Sequence, residues 1–565
     1  MKDYQKIKDG TWACICAFVY IILIWNIIPF VYDIIDDRSM MEFVSGQYLG
    51  IPDAHTIFMG YWYSLLLTYL YTMLPNADWY ALGYIILQWI CMSLICYRIM
   101  TVKTDKKKKA FYLVCIILLF SAFGMQALTQ LTFTTTAVVL GITVIIWYMT
   151  ADRIRFRDWL LLVVLCLLTN QVRSSVFYMI LPVCGILWLF RLREEHGRDR
   201  WHLMIPVAVV IVLVAGIAGN QIGYGSSEWR AYLEYNDHRS AIYDYAGYSF
   251  HPYEETEAFY NKIGIEKKSR ARTLMNYNYT ADDRITPKFF GDYIVSYEQE
   301  FPTEDTVFDK ILESMKDYLR RLFTGKFFWQ HFLALILYAG LAVWYLMRKE
   351  WVFLLKTILL LGTQLVMWLC LLYAGRIPER VVYTLNLMMI VTGILLWIEV
   401  LKNLNISDKV SRIVMTGIIF LLAGISGMQY FEIKAENLEM SHRNEDIESL
   451  KQYCMDQPEN FYFNDVTSLA FTTYNVHLWR DEPYQMNYMS LGDWMSYSPL
   501  WQEKLDQKKI ASVKEALYES DDVYLICDFD KGLEYLIKLY DGVECTEVDK
   551  VAGFSIYQLR CNQEN

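Results

Sequence analysis

The chain has 565 residues, of which 55% are hydrophobic and 16% aromatic, with a mean hydropathy of +0.20 and a net charge of −10 at pH 7. It is too apolar for a soluble enzyme and too charged to lie in a membrane throughout. Its acidic balance excludes the basic surface with which proteins bind nucleic acid. The sequence therefore predicts a protein that is part membrane and part water-exposed.

Eleven apolar runs predict membrane-spanning helices. The first, residues 11–32, has no small-residue cleavage site, so it is interpreted as a retained anchor and not as a signal peptide. The others lie at about 79–100, 110–126, 131–149, 159–170, 175–192, 201–221, 327–347, 352–373, 380–401 and 412–430. Together they predict an α-helical polytopic protein of the cell membrane, surrounded by membrane lipids.

The distribution of Lys and Arg predicts the topology. The run 56–74 is as apolar as the spans. If it does not cross the membrane, most basic residues of the loops lie on one side of the membrane, and these include the KKKK run at 106–109. Because cytoplasmic loops are enriched in Lys and Arg, this side is assigned to the cytoplasm, together with the N-terminus. The run 56–74 is then expected to rest on the outer leaflet. The short outer segments carry only Arg38, Arg173, Arg376 and Arg380.

Two parts are expected from this layout. Residues 1–430 form a transmembrane domain with outer loops at 33–78 and 222–326, and residues 431–565 form an extracytoplasmic α/β domain. In the second part, helical stretches (IESLKQYC, SVKEALYES) alternate with strand-like runs (FYFND, VYLICDF, FSIYQL). Its cysteines lack zinc-binding spacing, and their disulfide state stays open: Cys454, Cys527, Cys545 and Cys561.

An acidic pair, Asp36 and Asp37, opens the first outer loop, and a Gly50-Ile51-Pro52 stretch leads from it to Gly60-Tyr61-Trp62. With the order of spans and outer segments, this pattern resembles the GT-C superfamily of membrane glycosyltransferases. Lipid A aminoarabinose transferases and protein O-mannosyltransferases are similar in layout. The resemblance covers the whole chain by topology and the first 80 residues by motif.

The resemblance implies a GT-C-like fold and a defined reaction. A sugar would pass from a polyprenyl-phosphate donor to a glycan, lipid or protein acceptor of the cell envelope, on the outer face of the membrane. A rival hypothesis is a transporter or flippase of lipid-linked saccharides. Transporters commonly show internal pseudo-symmetry and ionisable residues within the spans, and here such residues are few, chiefly Lys356 and Glu399.

The acidic pair suits the chemistry of this transfer, which needs a carboxylate to accept the proton of the acceptor hydroxyl. Two adjacent carboxylates repel each other, which raises the pKa of one of them, whereas Arg38 opposes that shift. Asp36 is favoured over Asp37 by its match to the superfamily. An alternative interpretation is structural: Ser39-Met40-Met41-Glu42 has the form of a capping box, and both Asp residues suit a helix N-terminus.

Phosphate binding is predicted for Arg376 and Arg380 in the loop before the tenth span, since the guanidinium fork pairs with phosphate oxygens. Both could instead pair with Glu379 or with the C-terminal domain. Arg173 is a third candidate, or a helix-end residue whose side chain extends to the membrane surface. Arg38 and His55 are candidates for substrate binding, although a lone His is more often structural.

Cofactor motifs give little guidance. The chain has no GxxxxGK[ST] or GxGxxG element, so no nucleotide cofactor is expected. The first outer loop has no Asp-x-Asp pattern, and the need for a divalent cation stays open.

Overall fold

The computed structural model describes residues 2–101, 106–194, 196–302, 305–402, 408–469, 472–480, 485–528 and 533–561. Within residues 2–224 it contains helices that are mostly long and apolar, joined by short loops. The elements are α1 (Lys2–Ile27), β1 (Val31–Tyr32), α2 (Ile35–Val44), α3 (Tyr61–Met73), α4 (Trp79–Met100), α5 (Lys106–Phe123), α6 (Met125–Thr129), β2 (Gln130–Leu131), α7 (Phe133–Thr150), α8 (Phe156–Val172), α9 (Ser174–Arg191), α10 (Arg200–Leu203) and α11 (Ile205–Tyr224).

A more polar segment follows, and then the helical bundle resumes. The polar segment contains α12 (Ser227–Tyr243), α13 (Glu257–Lys262), α14 (Lys268–Met275), a 3₁₀ helix (Tyr279–Ala281), α15 (Pro287–Glu300) and α16 (Val307–Arg321). The second part of the bundle consists of α17 (Phe328–Arg348), α18 (Trp351–Tyr373), α19 (Glu379–Lys402) and α20 (Asp408–Met455).

Nine helices among the described residues are long and apolar enough to cross a membrane. All eleven predicted spans coincide with helices; the two outside the nine are α5 and α8, the latter of 17 residues. The predicted multi-pass helical architecture is confirmed. The run 56–74 forms only the 13-residue helix α3, which is too short to span.

Small residues of α11 let α3 pack closely against it. A Cβ atom added at Gly219 would lie 2.8 Å from the indole nitrogen of Trp62, and one added at Gly223 would clash with the ring of Tyr61. The Trp62 indole N–H donates a hydrogen bond to the Ala215 carbonyl oxygen at 3.0 Å. The aromatic start of α3 is therefore fixed against the end of α11.

The C-terminal part contains a five-stranded mixed sheet. Its elements are β3 (Phe461–Asn464), α21 (Val466–Leu469), β4 (Tyr488–Ser490), α22 (Pro499–Gln507), α23 (Val513–Glu519), β5 (Val523–Cys527), α24 (Leu533–Ile537), β6 (Val543–Val551) and β7 (Phe554–Cys561). The strand order is β4-β3-β5-β7-β6; β3 pairs in parallel with β4 and β5, and β7 pairs antiparallel with β5 and β6. The predicted α/β character of this part is confirmed, and none of its four cysteines is in a disulfide bond among the described residues.

Helix α20 joins the bundle to the sheet without a break. It has 48 residues and runs through position 430, where the sequence suggested the end of the membrane domain. At about 1.5 Å per residue, it is about 70 Å long. The predicted helical stretch IESLKQYC is its last part.

The segment that follows α1 lies against the C-terminal part of the chain. The Val476 N–H donates to the Phe30 carbonyl oxygen at 3.0 Å, and the Tyr32 N–H donates to the Tyr474 carbonyl oxygen at 3.0 Å. The end of the bundle that carries Phe30 and Tyr32 is called the sheet-side end below.

Candidate functional site

The acidic pair lies in the first turn of α2, a helix at the sheet-side end of the bundle. The helix begins at Ile35, with Ile34 as its N-cap, so Ser39 lies within the helix. The capping box expected at Ser39 to Glu42 is wrong for this reason. The Glu42 carboxylate instead accepts a hydrogen bond from the Tyr474 hydroxyl. The expected position of both Asp residues at a helix N-terminus is observed.

Asp37 is fully buried and connects three helices. Its Oδ1 accepts hydrogen bonds from the Tyr80 hydroxyl at 2.8 Å and from the backbone N–H of Phe133 at 3.2 Å, at the start of α7. Burial raises the pKa of Asp37 to about 8. The side chain therefore holds α2 against α4 and α7 and offers no accessible surface to a substrate.

Asp36 points to a different environment and is accessible. Its side chain is 19% exposed, and its Oδ2 lies 3.6 Å from Nη2 of Arg380. Burial raises the pKa of this carboxyl, whereas Arg380, Arg173 and Arg376 act in the opposite direction. Of the predicted pair, Asp36 is the carboxylate that can meet a substrate.

The loop between α18 and α19 brings Arg376 and Arg380 to this end of the bundle. Gly375 has φ +70°, and a Cβ atom there would lie 2.6 Å from the Cβ of Ala246, so the loop packs tightly against the segment after α12. Arg376 Nη1 lies 3.5 Å from Oδ2 of Asp244, and its guanidinium lies over the ring of Tyr245 at 5.2 Å. Asp244 is also paired with the buried Arg239, at 3.1 Å.

Arg173 joins α8 to α9 and lies close enough to the Asp36 carboxylate to affect its pKa. Its Nη1 donates to the Phe58 carbonyl oxygen at 3.0 Å, and its guanidinium lies 4.9 Å from the Phe133 ring centroid. The Arg380 guanidinium lies over the same ring at 6.0 Å. Burial and, to a smaller extent, the charges of Arg380 and Arg376 lower the pKa of Arg173 to about 10. The three arginines are therefore close enough to repel one another.

We call Arg173, Arg376 and Arg380 the Arg cluster. Asp244 pairs with Arg239 as well as with Arg376, and Arg380 acts on the partly exposed carboxyls of both Asp36 and Asp33. Guanidinium groups can pair with the oxygens of an anion such as phosphate. The residues predicted separately as base and phosphate ligands thus lie together at the sheet-side end.

His55 lies outside this cluster. Its Nδ1 contacts Oδ1 of Asp53 at 2.8 Å, its Nε2 contacts the Gly223 carbonyl oxygen at 2.9 Å, and its ring stacks on Trp229 at 4.3 Å. Both ring nitrogens are occupied by the protein, so the geometry favours the structural interpretation of this residue.

Arg38 also points away from the cluster. Its side chain is 7% exposed, and its Nη1 donates to Oγ1 of Thr472 at 3.0 Å. Its guanidinium lies 5.7 Å from the ring of Tyr474. Arg38 therefore connects α2 to the C-terminal part of the chain.

Asp33 and Lys326 are charged neighbours that the sequence analysis did not select. Burial raises the pKa of Asp33 to about 6, against the effects of Arg380 and Lys326. Lys326 forms an ion pair with Glu436 at 2.7 Å. Asp33 could have been found from its place three residues before Asp36; Lys326 and Asp244 follow no motif. Within the described ranges, no group of three or more His, Cys, Asp and Glu side chains forms a metal-ion site.

Three solved structures resemble the chain over most of its length. ArnT from Cupriavidus metallidurans in the apo state has 12% identity, 97% coverage of both chains and a TM-score of 0.43. The same protein bound to undecaprenyl phosphate has 10% identity, the same coverage and a TM-score of 0.40. The arabinofuranosyltransferase AftD from Mycobacteria has 13% identity and a TM-score of 0.38, and the match covers 98% of this chain and 40% of AftD. No protein-family model and no curated protein matches the sequence.

Proposed function

We propose that the chain is a membrane glycosyltransferase that uses a polyprenyl-phosphate sugar donor and a cell-envelope acceptor. Asp36 is its general base, and the Arg cluster binds the donor phosphate. The observation that carries this proposal is the contact between Asp36 and Arg380, 3.6 Å apart, with Arg173 and Arg376 close enough to act on the same carboxyl. A base and an anion site are therefore adjacent at one end of a membrane bundle.

The reaction follows from this pair of sites. The acceptor hydroxyl oxygen attacks the anomeric carbon of the sugar, and the bond from that carbon to the phosphate oxygen breaks. Its electron pair leaves with the polyprenyl phosphate, and the hydroxyl proton passes to the Asp36 carboxylate. The Arg cluster stabilises the negative charge that develops on the departing phosphate. The burial that raises the pKa of Asp36 makes it a stronger base.

The proposed orientation places the sheet-side end outside the cell. In this orientation the KKKK run at 106–109 lies in the cytoplasm, in agreement with the positive-inside rule. A lipid-linked donor then presents its phosphate at the outer surface, where the Arg cluster lies.

Asp36→Asn tests the base. Membranes that contain the full chain are incubated with a panel of polyprenyl-phosphate sugars, and sugar transfer is measured. Removal of a general base reduces the rate by about 10²- to 10⁴-fold. Asp37→Asn is the matched control, because a neutral amide replaces a buried carboxyl whose pKa is about 8. Full activity in Asp36→Asn and in the double variant would exclude Asp36 as the base, and movement of the saccharide without transfer would support a transporter.

Arg376→Ala tests the phosphate site. We expect a decrease of roughly tenfold or more in kcat/KM for the donor, with acceptor choice unchanged, since a charge-assisted hydrogen bond is lost. Arg376→Lys should recover part of the loss, because the Lys ammonium keeps the positive charge but cannot make the paired hydrogen bonds of the planar guanidinium. Arg272→Ala, on the exposed face of α14, is the control. Unchanged donor kinetics in both Arg376→Ala and Arg380→Ala would remove the cluster from the donor site.

A further inference from the structure

A cavity of about 380 Å³ opens at the end of α11 and lies apart from the residues of the Arg cluster. Its lining consists of Ile57, Asn220, Gln221, Tyr224, Arg230 and Leu233. Asn220, Gln221 and Arg230 are exposed, so their polar groups are available to a ligand.

The lining combines three kinds of chemistry. Each amide, of Asn220 and of Gln221, both donates and accepts hydrogen bonds, which matches a hydroxyl group. Arg230 supplies a cation for a phosphate or carboxylate. Ile57 and Leu233 provide apolar surface. A ligand that uses all of them carries hydroxyls, an acidic group and an apolar part.

Exposed apolar side chains of α11 lie next to the cavity residues in the sequence. Ile217 and Ile222 flank its two amide residues along the helix, and their side chains are 63% and 61% exposed. Apolar side chains exposed on a membrane-spanning helix contact lipid tails. An amphiphile can therefore keep its tail against α11 while its headgroup enters the cavity.

One backbone segment separates the cavity from the Arg cluster. Ile57 has φ +59°, an unfavourable conformation for a β-branched residue, and its N–H donates to the Tyr224 hydroxyl at 3.0 Å. The next residue, Phe58, accepts the hydrogen bond from Arg173 through its carbonyl oxygen. Strained backbone of this kind concentrates at functional sites. The cavity and the Arg cluster thus lie on two sides of the same segment.

We infer that the cavity beside Ile57 binds the headgroup of a hydroxyl-bearing anionic lipid. The lipid tail lies along α11, the acidic group pairs with Arg230, and the hydroxyls bind the amides of Asn220 and Gln221. In the function proposed above this lipid is the acceptor, and one of its hydroxyls reaches Asp36 past Phe58; that role rests on the proposed function.

Lipid binding to the full chain tests the site without any need for sugar transfer. Native mass spectrometry in detergent micelles measures binding of dioleoyl phosphatidylglycerol, which has a phosphate and two free hydroxyls. Dioleoyl phosphatidylcholine and inorganic phosphate are the comparison ligands. The variants are Arg230→Glu and the double variant Asn220→Leu, Gln221→Leu; Arg272→Glu makes the same charge change at an exposed position of another helix, α14.

We expect the dissociation constant for phosphatidylglycerol to rise about tenfold or more in Arg230→Glu and in the double variant, as for the loss of strong hydrogen bonds. It should stay unchanged in Arg272→Glu, and phosphatidylcholine should bind more weakly than phosphatidylglycerol. Equal binding by Arg230→Glu and Arg272→Glu would overturn the inference. Displacement of phosphatidylglycerol by inorganic phosphate at similar concentration would also overturn it, because the site would then recognise phosphate alone.

The outcomes also separate this inference from the proposed function. Arg376→Ala should leave phosphatidylglycerol binding unchanged, because the two sites are distinct. Selective binding that depends on Arg230, without transfer from any donor, would retain the lipid site and reject the glycosyltransferase. Sugar transfer that depends on Asp36, together with lipid binding that the cavity variants leave unchanged, would retain the glycosyltransferase and reject the lipid site. If Arg230→Glu fails to fold in a thermal unfolding assay, phosphatidylglycerol binding by the Asn220→Leu, Gln221→Leu double variant tests the inference.

Discussion

The hydroxyl of Tyr474 donates a hydrogen bond to the carboxylate of Glu42, across 432 positions of the sequence. Both side chains are buried. Glu42 lies on α2, fewer than two turns after Asp36, and Arg38 on the same helix is bonded to Thr472. The C-terminal part of the chain therefore fixes the helix that carries the proposed base.

Tyr474→Phe should lower kcat for sugar transfer by about tenfold while the donor KM changes little. The substitution leaves a buried carboxylate without its donor, at a cost of about 1–3 kcal/mol in stability, and frees α2 to shift. Because Tyr474 acts through α2, donor binding at the Arg cluster should persist. Steady-state kinetics with purified protein measure both constants.

Two variants check the interpretation of that result. Glu42→Gln combined with Tyr474→Phe should recover part of kcat, because a neutral amide is less costly to bury than an unpaired carboxylate. Tyr524→Phe, in β5 of the same domain, is the control for loss of a phenol hydroxyl. An unchanged kcat in Tyr474→Phe would show that this contact does not position Asp36.

The ionisation of Asp37 should affect stability in a defined pH range. The folded chain keeps this carboxyl protonated to about pH 8, whereas in the unfolded chain it ionises near its usual pKa of about 4. The contribution of this carboxyl to the free energy of unfolding is fully present below pH 4. It is lost as the pH rises towards 8, by up to about 1.4 kcal/mol per pH unit. Asp37→Asn cannot ionise and should lack this loss.

Thermal unfolding of purified wild type and Asp37→Asn between pH 5 and pH 8 measures this difference. The midpoint of the variant should rise progressively relative to that of the wild type. Asp292→Asn, at an exposed site on α15, should follow the wild type at every pH. A constant difference between Asp37→Asn and wild type would contradict the raised pKa of Asp37.

Arg380→Ala should shift the pH dependence of transfer. Arg380 opposes the effect of burial on Asp36, so its removal raises the pKa of that carboxyl further. A base acts only when deprotonated, and the acidic limb of the plot of kcat/KM against pH should therefore move to higher pH. Arg376→Ala, paired chiefly with Asp244, should move it less. An acidic limb that stays in place in Arg380→Ala would argue for a different base.

The proposed topology predicts the locations of two reporters. A reporter fused at Lys107 should lie in the cytoplasm, and one fused near Asp465 should lie outside, because the basic loops are placed inside. Activity of a compartment-specific enzyme tag gives the location in intact cells. An external location at Lys107 would invert the loops and reject the proposed outer site.

Much of the fold could be predicted from the sequence because apolar runs of about 20 residues have few alternatives to a spanning helix. The strands β3, β5 and β7 were also predicted, since they are short runs rich in apolar and aromatic residues. The edge strands were missed: β4 has only three residues, and the outer strand β6 is mostly exposed and carries a bulge near Glu547. Neither gives a clear hydrophobic pattern.

The site could be predicted only in its separate parts. Asp36, Arg376 and Arg380 were selected by residue type and place, but no spacing in the sequence shows that Arg380 meets Asp36. Asp244 and Lys326 belong to no motif. They come close to the other charged residues of the site only because the fold brings the ends of several helices together. The roles of Asp37 and Arg38 also depend on long-range partners, Phe133 and Thr472, which local patterns cannot identify.

The contacts between the segment after α1 and residues 472–480 impose an order on biosynthesis. A ribosome delivers Phe30 and Tyr32 about 440 residues before their backbone partners Val476 and Tyr474. Until then α2 lacks the partners of Arg38 and Glu42. A nascent or truncated chain that ends before this region can insert its helices but cannot complete the pocket around Asp36. The pocket around Asp36 is therefore complete only after residues 472–480 have been synthesised.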